Sequence, residues 1–333
     1  MPAALVVLQK TGIMFLVMLA GWLARRRGWL GPEVATGLSR FVVELAFPAL
    51  VFTQMLRTVT AGALRTGWWV PLLAVFLIIG GAWVGRLGAR LARVEPASRR
   101  TFVFLVAIPN WVFLPLLIAD GLYGAEGVAF VLLLNVGAQI VLWTEGVRML
   151  HGRPVGRDAL RGLLGNAGLM ATFAGIAVAL AWPGSAALGE KTANASGLKT
   201  AGDTVIGALR MLGDLTIPLS LLVSGAQLGT RVRSSDADNR ALVGVIVTRL
   251  LVAPAVLLAV LGVGTRLVGW RMPEVAFMTT AVIAAMPVAV SCPMFVERFG
   301  GDGELSAGGV FYTTLLSLAT VPAVVWACRA VGL

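Results

Sequence analysis

The sequence predicts an all-α polytopic membrane protein with ten transmembrane helices in two inverted five-helix repeats. Three observations predict it. The chain is strongly apolar, its apolar runs have bilayer length, and its two halves carry the same interruptions in the same order.

Of 333 residues, 58% are hydrophobic and 13% charged, with a mean hydropathy of +0.88. Water-soluble domains of this length are rarely so apolar. The net charge is +11, and the Lys and Arg residues sit in short loops between apolar runs, where topology signals lie. Those loops lack the aromatic interleaving that base stacking uses, so nucleic acid is excluded as a partner. Cys292 and Cys328 lie in apolar runs and fit neither a zinc site nor a disulfide framework. His151, the single histidine, reads as a solvated loop residue.

A membrane helix needs about 20 apolar residues. Ten runs qualify: 4–24, 37–56, 67–87, 101–121, 127–149, 162–182, 204–228, 241–263, 275–296 and 304–328. Trp68, Trp69, Trp182, Trp270 and Trp326 fall near run ends, as interfacial anchors do. Arg25, Arg26 and Arg27 follow the first run rather than preceding it, so that run is expected as a span and not as a cleaved signal. Segments 25–27, 86–100, 148–161, 231–240 and 298 hold 16 Lys/Arg, against 7 in segments 57–65, 191–199, 266–271 and 329. The positive-inside rule puts the first set in the cytoplasm and both termini outside a cell membrane. The polar stretch from Pro183 to Asp203 is then external. It contains Asn194-Ala195-Ser196, a formal glycosylation sequon.

The repeats are residues 1–150 (spans 1–5) and 162–333 (spans 6–10), joined by a short cytoplasmic connector at 151–161. Arg40-x3-Glu44-x3-Pro48 in the second span matches Arg210-x3-Asp214-x3-Pro218 in the seventh. Pro109-x5-Pro115 in the fourth matches Pro287-x5-Pro293 in the ninth. Tyr123-Gly124-Ala125-Glu126-Gly127 before the fifth matches Phe299-Gly300-Gly301-Asp302-Gly303 before the tenth. Five spans per half is an odd number, so equivalent spans cross in opposite directions.

A proline in a helix removes a donor and clashes with the carbonyl four residues back. Two prolines six apart are expected to unwind the segment between them, which membranes tolerate only inside protein or along a wet cavity. Freed carbonyls can hold a cation. The helices restarting near Pro115 and Pro293 aim N–H groups at the gap and favour an anion. Paired, interrupted spans at equivalent places point to a secondary transporter's binding site.

Candidate substrate-binding residues are therefore Pro109, Asn110, Pro115, Pro287, Ser291 and Pro293, with Asn135 and Gln139 one turn apart on the fifth span. Asn110 either contacts the ligand or plugs unwound backbone. Ser291 can cap the restarted helix. Asn135 and Gln139 either line the cavity or bond neighbouring helices. Glu44 and Asp214 are coupling candidates or local salt-bridge partners of Arg40 and Arg210. Arg249, without a local partner, is expected to meet a distant acid or a substrate carboxylate. Gly81-x3-Gly85 permits close helix packing. The sequence contains no catalytic motif and no phosphate-binding Gly-Lys-Thr loop, so no enzyme is expected.

Ser39-Arg40-Phe41-Val42 leading into Phe47-Pro48-Ala49-Leu50-Val51-Phe52 resembles the second span of the auxin efflux carrier family of membrane transport proteins. Pro109-Asn110, Tyr123-Gly124, Asn135 to Trp143, Met286-Pro287 to Pro293 and Leu315 to Pro322 extend the resemblance over nearly the whole chain. The resemblance implies a bile-acid-symporter-like fold with broken helices 4 and 9 crossing. It implies a scaffold of spans 1, 2, 6 and 7, a transport part of spans 3–5 and 8–10, and elevator-like movement. It implies carboxylate substrates such as auxin, malate or malonate, with Asn110, Pro109 and Pro115 at one crossover and Pro287 and Pro293 at the other. Val288-Ala289-Val290-Ser291 departs from the family in lacking an amide residue. The short connector suits a bacterial-type member better than a plant hormone exporter.

The expected function is a secondary carrier of a small organic anion. The alternatives are a Na+- or H+-coupled symporter of bile-acid type and a non-transporting membrane receptor. No cofactor and no metal are expected beyond a Na+ or H+ coupling ion. The expected partners are the lipid bilayer and the anion, with a homodimer left open.

Overall fold

Proline and glycine placement decides where this apolar chain stops being a straight helix. The structure is a computed structural model that describes residues 3–152, 165–182, 184–185, 197–227 and 236–330. The connector beyond Gly152 and the Asn194 sequon lie outside the described residues. Within them the fold is all-α, with one isolated antiparallel bridge between Pro109 and Val288. Six helical stretches are long and apolar enough to cross a bilayer: Pro32–Arg57, Val70–Leu91, Leu114–His151, Ala201–Ala226, Asn239–Leu267 and Gly303–Ala330. Ala167–Ala181 and Glu274–Ala285 are shorter apolar helices.

The chain divides into two compact units. One holds residues 17–69 and 161–229; the other holds 1–16, 70–160 and 230–333. Apart from the N-terminal residues, this grouping is the one the resemblance implied, with spans 2, 6 and 7 in the first unit and spans 3–5 and 8–10 in the second.

In the first unit, α2 (Pro32–Phe41) passes through a π-helical turn (Val42–Ala46) into α3 (Phe47–Thr58), followed by the short α4 (Ala61–Gly67). Pro48 explains the turn, since its ring and missing N–H are incompatible with a regular bond to Glu44. The matched Pro218 lies just inside α11 (Thr216–Gln227), after a break at Leu215 that ends α10 (Gly197–Asp214). The sixth span is α9 (Ala167–Ala181), whose N-cap Asn166 accepts from Leu169 N at 2.8 Å. Glycines bring these helices close. A Cβ on Gly175 would lie 2.6 Å from Met55 Cβ, and one on Gly213 would lie 2.8 Å from Leu50 Cα. In α1 (Ala3–Arg26), Gly21 abuts the backbone of Leu222, and Gly225 abuts that of Met18.

In the second unit, α5 (Val70–Leu91) packs on α6 (Pro96–Ala107), which is the first half of the fourth span. Gly81 and Gly85 make that contact, as the Gly-x3-Gly spacing predicts. Their added Cβ atoms would meet Ala107 Cα at 3.1 Å and Val103 Cα at 3.2 Å. After the break comes α7 (Phe113–Val141), then a π-helical turn (Leu142–Gly146) and α8 (Val147–His151). The helical run α7 turns back on itself at Gly124, where φ is +56°. A Cβ on Gly127 would sit 2.5 Å from Ala119 O. Eight residues of straight helix span about 12 Å, so the chain reverses there.

The second half of this unit begins with α12 (Asp236–Val247), a π-helical turn (Thr248–Val252) and α13 (Ala253–Leu267). Pro254 follows this turn as Pro48 follows the other. The ninth span is α14 (Glu274–Ala285), a break, and α15 (Cys292–Phe299). Gly300 and Gly301, with φ of +85° and +148°, turn the chain into α16 (Gly303–Ala330).

Close packing at Gly225 yields a stability prediction. Gly225→Leu is expected to cost about 1–3 kcal/mol through overpacking and to lower the unfolding midpoint in detergent. Gly207→Ala, where nothing lies within 4 Å of the added Cβ, is expected to leave it unchanged or slightly raised. Equal midpoints for the two variants would remove the glycine contact from the account.

Candidate functional site

The two breaks meet. Asn110 N donates to Pro287 O at 2.8 Å, and Ala289 N donates to Ile108 O at 3.1 Å. These bonds flank the Pro109–Val288 bridge and give two short extended segments in antiparallel register. Proline suits this position because it has no N–H to leave unpaired. Val288 N donates instead to Thr313 Oγ1 of α16 at 3.1 Å.

Each glycine turn is tied to the start of the opposite broken helix. Tyr123 Oη donates to Glu274 Oε1 at the head of α14, at 3.0 Å. Ser98 Oγ, in the first turn of α6, donates to Asp302 Oδ2 at 2.5 Å. Asp302 N donates to Thr101 Oγ1 at 2.8 Å, and Asp302 Oδ1 accepts from Leu305 N at the start of α16. The fourth and ninth spans therefore run antiparallel and cross at their breaks.

Arg249 lies at the centre of the crossing. It is 1% exposed, on the π-helical turn that Pro254 imposes. Its Nε donates to Met286 O at 3.0 Å, its Nη1 to Val106 O at 2.8 Å, and its Nη2 to Ala284 O. These carbonyls belong to the C-terminal ends of α6 and α14, which carry partial negative charge. Among the described residues Arg249 meets no distant acid, so that expectation is corrected: its protein partners are main-chain carbonyls from both breaks. A planar fork with five donors can reach three of them at once, which a point-like ammonium cannot.

The predicted site residues divide. Pro109, Asn110, Pro115 and Pro287 are buried at or beside the crossing, with Asn110 3% exposed. Pro115 lies in the first turn of α7 and Pro293 in that of α15, where a missing N–H costs no helical bond. Ser291 is half-buried at the N-cap of α15, but its side chain makes no capping bond. The expected cap is absent because Ser291 has helical φ/ψ, −76° and −15°, rather than the extended backbone that aims a capping hydroxyl. Cys292 is buried and packs with its Sγ 4.0 Å from Ile108 O.

Asn135 is 1% exposed, and among the described residues neither its Nδ2 nor its Oδ1 has a hydrogen-bond partner. Gln139 Oε1 and the indole nitrogens of Trp111 and Trp143 share that condition. Asn135, Gln139 and Trp143 are spaced four apart, so they share one face of the fifth span. Trp143 packs edge-on against Phe295 of α15, ring centroids 5.2 Å apart, which turns this face toward the second half of the ninth span. The alternative of interhelical bonding for Asn135 is not what the structure shows. Buried amides left without protein partners are rare and suit a polar guest.

Glu44 and Asp214 belong to the other unit. Both are exposed, and Glu44 accepts from Arg40 Nε at 3.0 Å. Among the described residues, no group of three metal-ligating side chains gathers.

Residues 6–162 and 186–326 match the membrane transport protein family. The chain belongs to that family. This is the family of the auxin efflux carriers that the second span and the two breaks resemble. A protein described as an uncharacterized transporter of Methanothermobacter thermautotrophicus is 24% identical over 311 residues, covering 92% of this chain and 93% of that one. PIN-LIKES 1 of Arabidopsis thaliana is 23% identical over 349 residues, covering 89% of this chain and 72% of its own. A member of a membrane transport protein family with six bilayer-length apolar helices is a multi-pass membrane transporter.

Sequence reasoning singled out Arg249 without finding its role, and it passed over Thr313 and Trp111. The available signal was an arginine deep in a 29-residue apolar stretch with a proline five residues on. Arg249→Met leaves three buried carbonyls without that donor, at on the order of 1–3 kcal/mol each. A large fall in unfolding midpoint is expected for Arg249→Met and a smaller one for Arg249→Lys. A wild-type midpoint for Arg249→Met would contradict the clamp.

Proposed function

We propose that the protein is a secondary carrier of a small organic anion, with carboxylates as the substrate class. One observation carries the reading. Arg249 brings a positive charge into the crossing, fully buried, and its hydrogen bonds go to neutral main-chain carbonyls rather than to a carboxylate. Such a charge attracts an anion strongly in a low-dielectric interior. The N-terminal ends of α7 and α15 add dipoles of the same sign. The unpartnered donors of Asn135 and Trp111 can complete the carboxylate's shell, together with Asn110, which precedes Trp111 in the break.

The crossing lies wholly within one compact unit, residues 70–160 and 230–333 among them. That supports alternating access of elevator type, in which the unit carrying the site moves as a body. We place the protein in the cell membrane with both termini outside, as the loop charge predicts. We assign it no enzymatic activity.

A Na+-coupled symporter would need carbonyl ligands at the breaks. Those of Val106, Ala284 and Met286 accept from the Arg249 guanidinium, whose positive charge repels a second cation there, which favours transport without Na+. Glu44 and Asp214 belong to the unit that does not hold the crossing, which disfavours proton coupling through either.

Uptake of labelled malate or malonate into proteoliposomes tests the reading. Asn110→Ala and Asn135→Ala are each expected to lower initial uptake about 10- to 100-fold, the value of a hydrogen bond to a charged group, with unfolding midpoints preserved. Replacing Na+ by N-methylglucamine is expected to leave uptake unchanged. Wild-type uptake in both variants would remove these amides from the site, and a strict Na+ requirement would favour the symporter.

A further inference from the structure

We propose that a basic pocket between the end of α5 and the start of α6 binds the phosphates of an anionic phospholipid headgroup. The pocket has a volume of about 360 Å³ and is lined by Arg86, Arg90, Arg99 and Arg100 over a floor that includes Val103 and Met149. No carboxylate lines it. None of the four arginines forms an ion pair among the described residues, and Glu145 on the neighbouring helix is taken by Arg148 at 2.6 Å. Arg99 Nη2 donates to Val94 O at 3.2 Å and Arg100 Nη1 to His151 O at 3.3 Å. Two heads are thus oriented by backbone while most of their donors stay unused. Arginine forks bind phosphate bidentately, and the start of α6 adds a positive dipole end.

The surroundings decide between a lipid and a soluble anion. Trp83, Leu87 and Leu91 are 68%, 56% and 76% exposed, and their spacing of four puts them on one face of α5. That apolar stripe runs to the same end of the helix as Arg86 and Arg90. The Arg86 guanidinium lies over the Trp83 ring, 5.3 Å from its centroid. Acyl chains can follow the stripe while the headgroup occupies the pocket. Four fixed charges exceed the need of one phosphodiester, so a headgroup with two phosphates fits best. Loop charge predicts that this end faces the cytoplasm, where anionic lipids recruit basic segments. The site is separate from the crossing and does not depend on what is carried there.

Thermal unfolding of the purified full chain in neutral detergent tests the proposal. Cardiolipin is expected to raise the midpoint by several degrees, phosphatidylglycerol by less, and phosphatidylcholine not at all. Arg90→Gln with Arg99→Gln is expected to keep the lipid-free midpoint, since both side chains are exposed, and to lose at least two thirds of the cardiolipin shift. Arg90→Lys with Arg99→Lys is expected to retain more of the shift than the glutamine pair. An undiminished shift in the glutamine pair would overturn the site. If inorganic phosphate at millimolar concentration reproduced the full shift and cardiolipin added nothing, a soluble phospho-anion would replace the lipid.

Discussion

The guanidinium of Arg249 is shared between the two interrupted helices, and the crossing depends on it. Each first-half helix ends in the protein interior, where its last carbonyls have no following turn to bond. Val106 O belongs to one such end, and Ala284 O and Met286 O belong to the other. Main-chain groups left so would each cost free energy, and so would a buried charge without partners. Each problem supplies the other's solution. The arrangement requires Arg249 to project from the correct point of its span, and the π-helical turn before Pro254 sets that point.

Once the C-terminal ends are neutralised, the N-terminal ends of α7 and α15 set the electrostatics of the gap. Backbone pairing between residues 108–110 and 287–289 fixes the separation of the breaks. The two glycine turns fix their direction, because each is bonded to the start of the opposite helix. The crossing is thus held at its middle and at both ends, all within one compact unit. What it leaves unbonded is on the side chains: the amide of Asn135, the carbonyl of Gln139 and the indole of Trp111. The contribution of side chains is asymmetric, since the ninth-span break offers only Ser291, Cys292 and backbone.

Much of this was legible because prolines and glycines act locally. Pro109, Pro115, Pro287 and Pro293 located both breaks, Gly124 and Gly300 located both reversals, and Gly81-x3-Gly85 located a close helix contact. Asn135 and Gln139 stood out as amides in an apolar run. Partners distant in sequence were not legible. Nothing near Arg249 signals carbonyls 35, 37 and 143 residues away. Ser291 has the right chemistry for a cap, but its φ/ψ depends on how the break is paired across the crossing. The arginines of α5 and α6 were read as a topology signal, and only packing shows that four of them line one cavity.

Chemical rescue of Arg249 tests the central claim most directly. The Arg249→Ala protein, reconstituted in proteoliposomes, would be assayed for carboxylate uptake with and without millimolar guanidinium, using urea as a neutral molecule of similar shape. If the crossing needs a planar cation at this point, the variant is inactive alone, regains uptake with guanidinium and stays inactive with urea. Wild-type uptake by Arg249→Ala without any additive, or equal recovery with urea, would contradict the account.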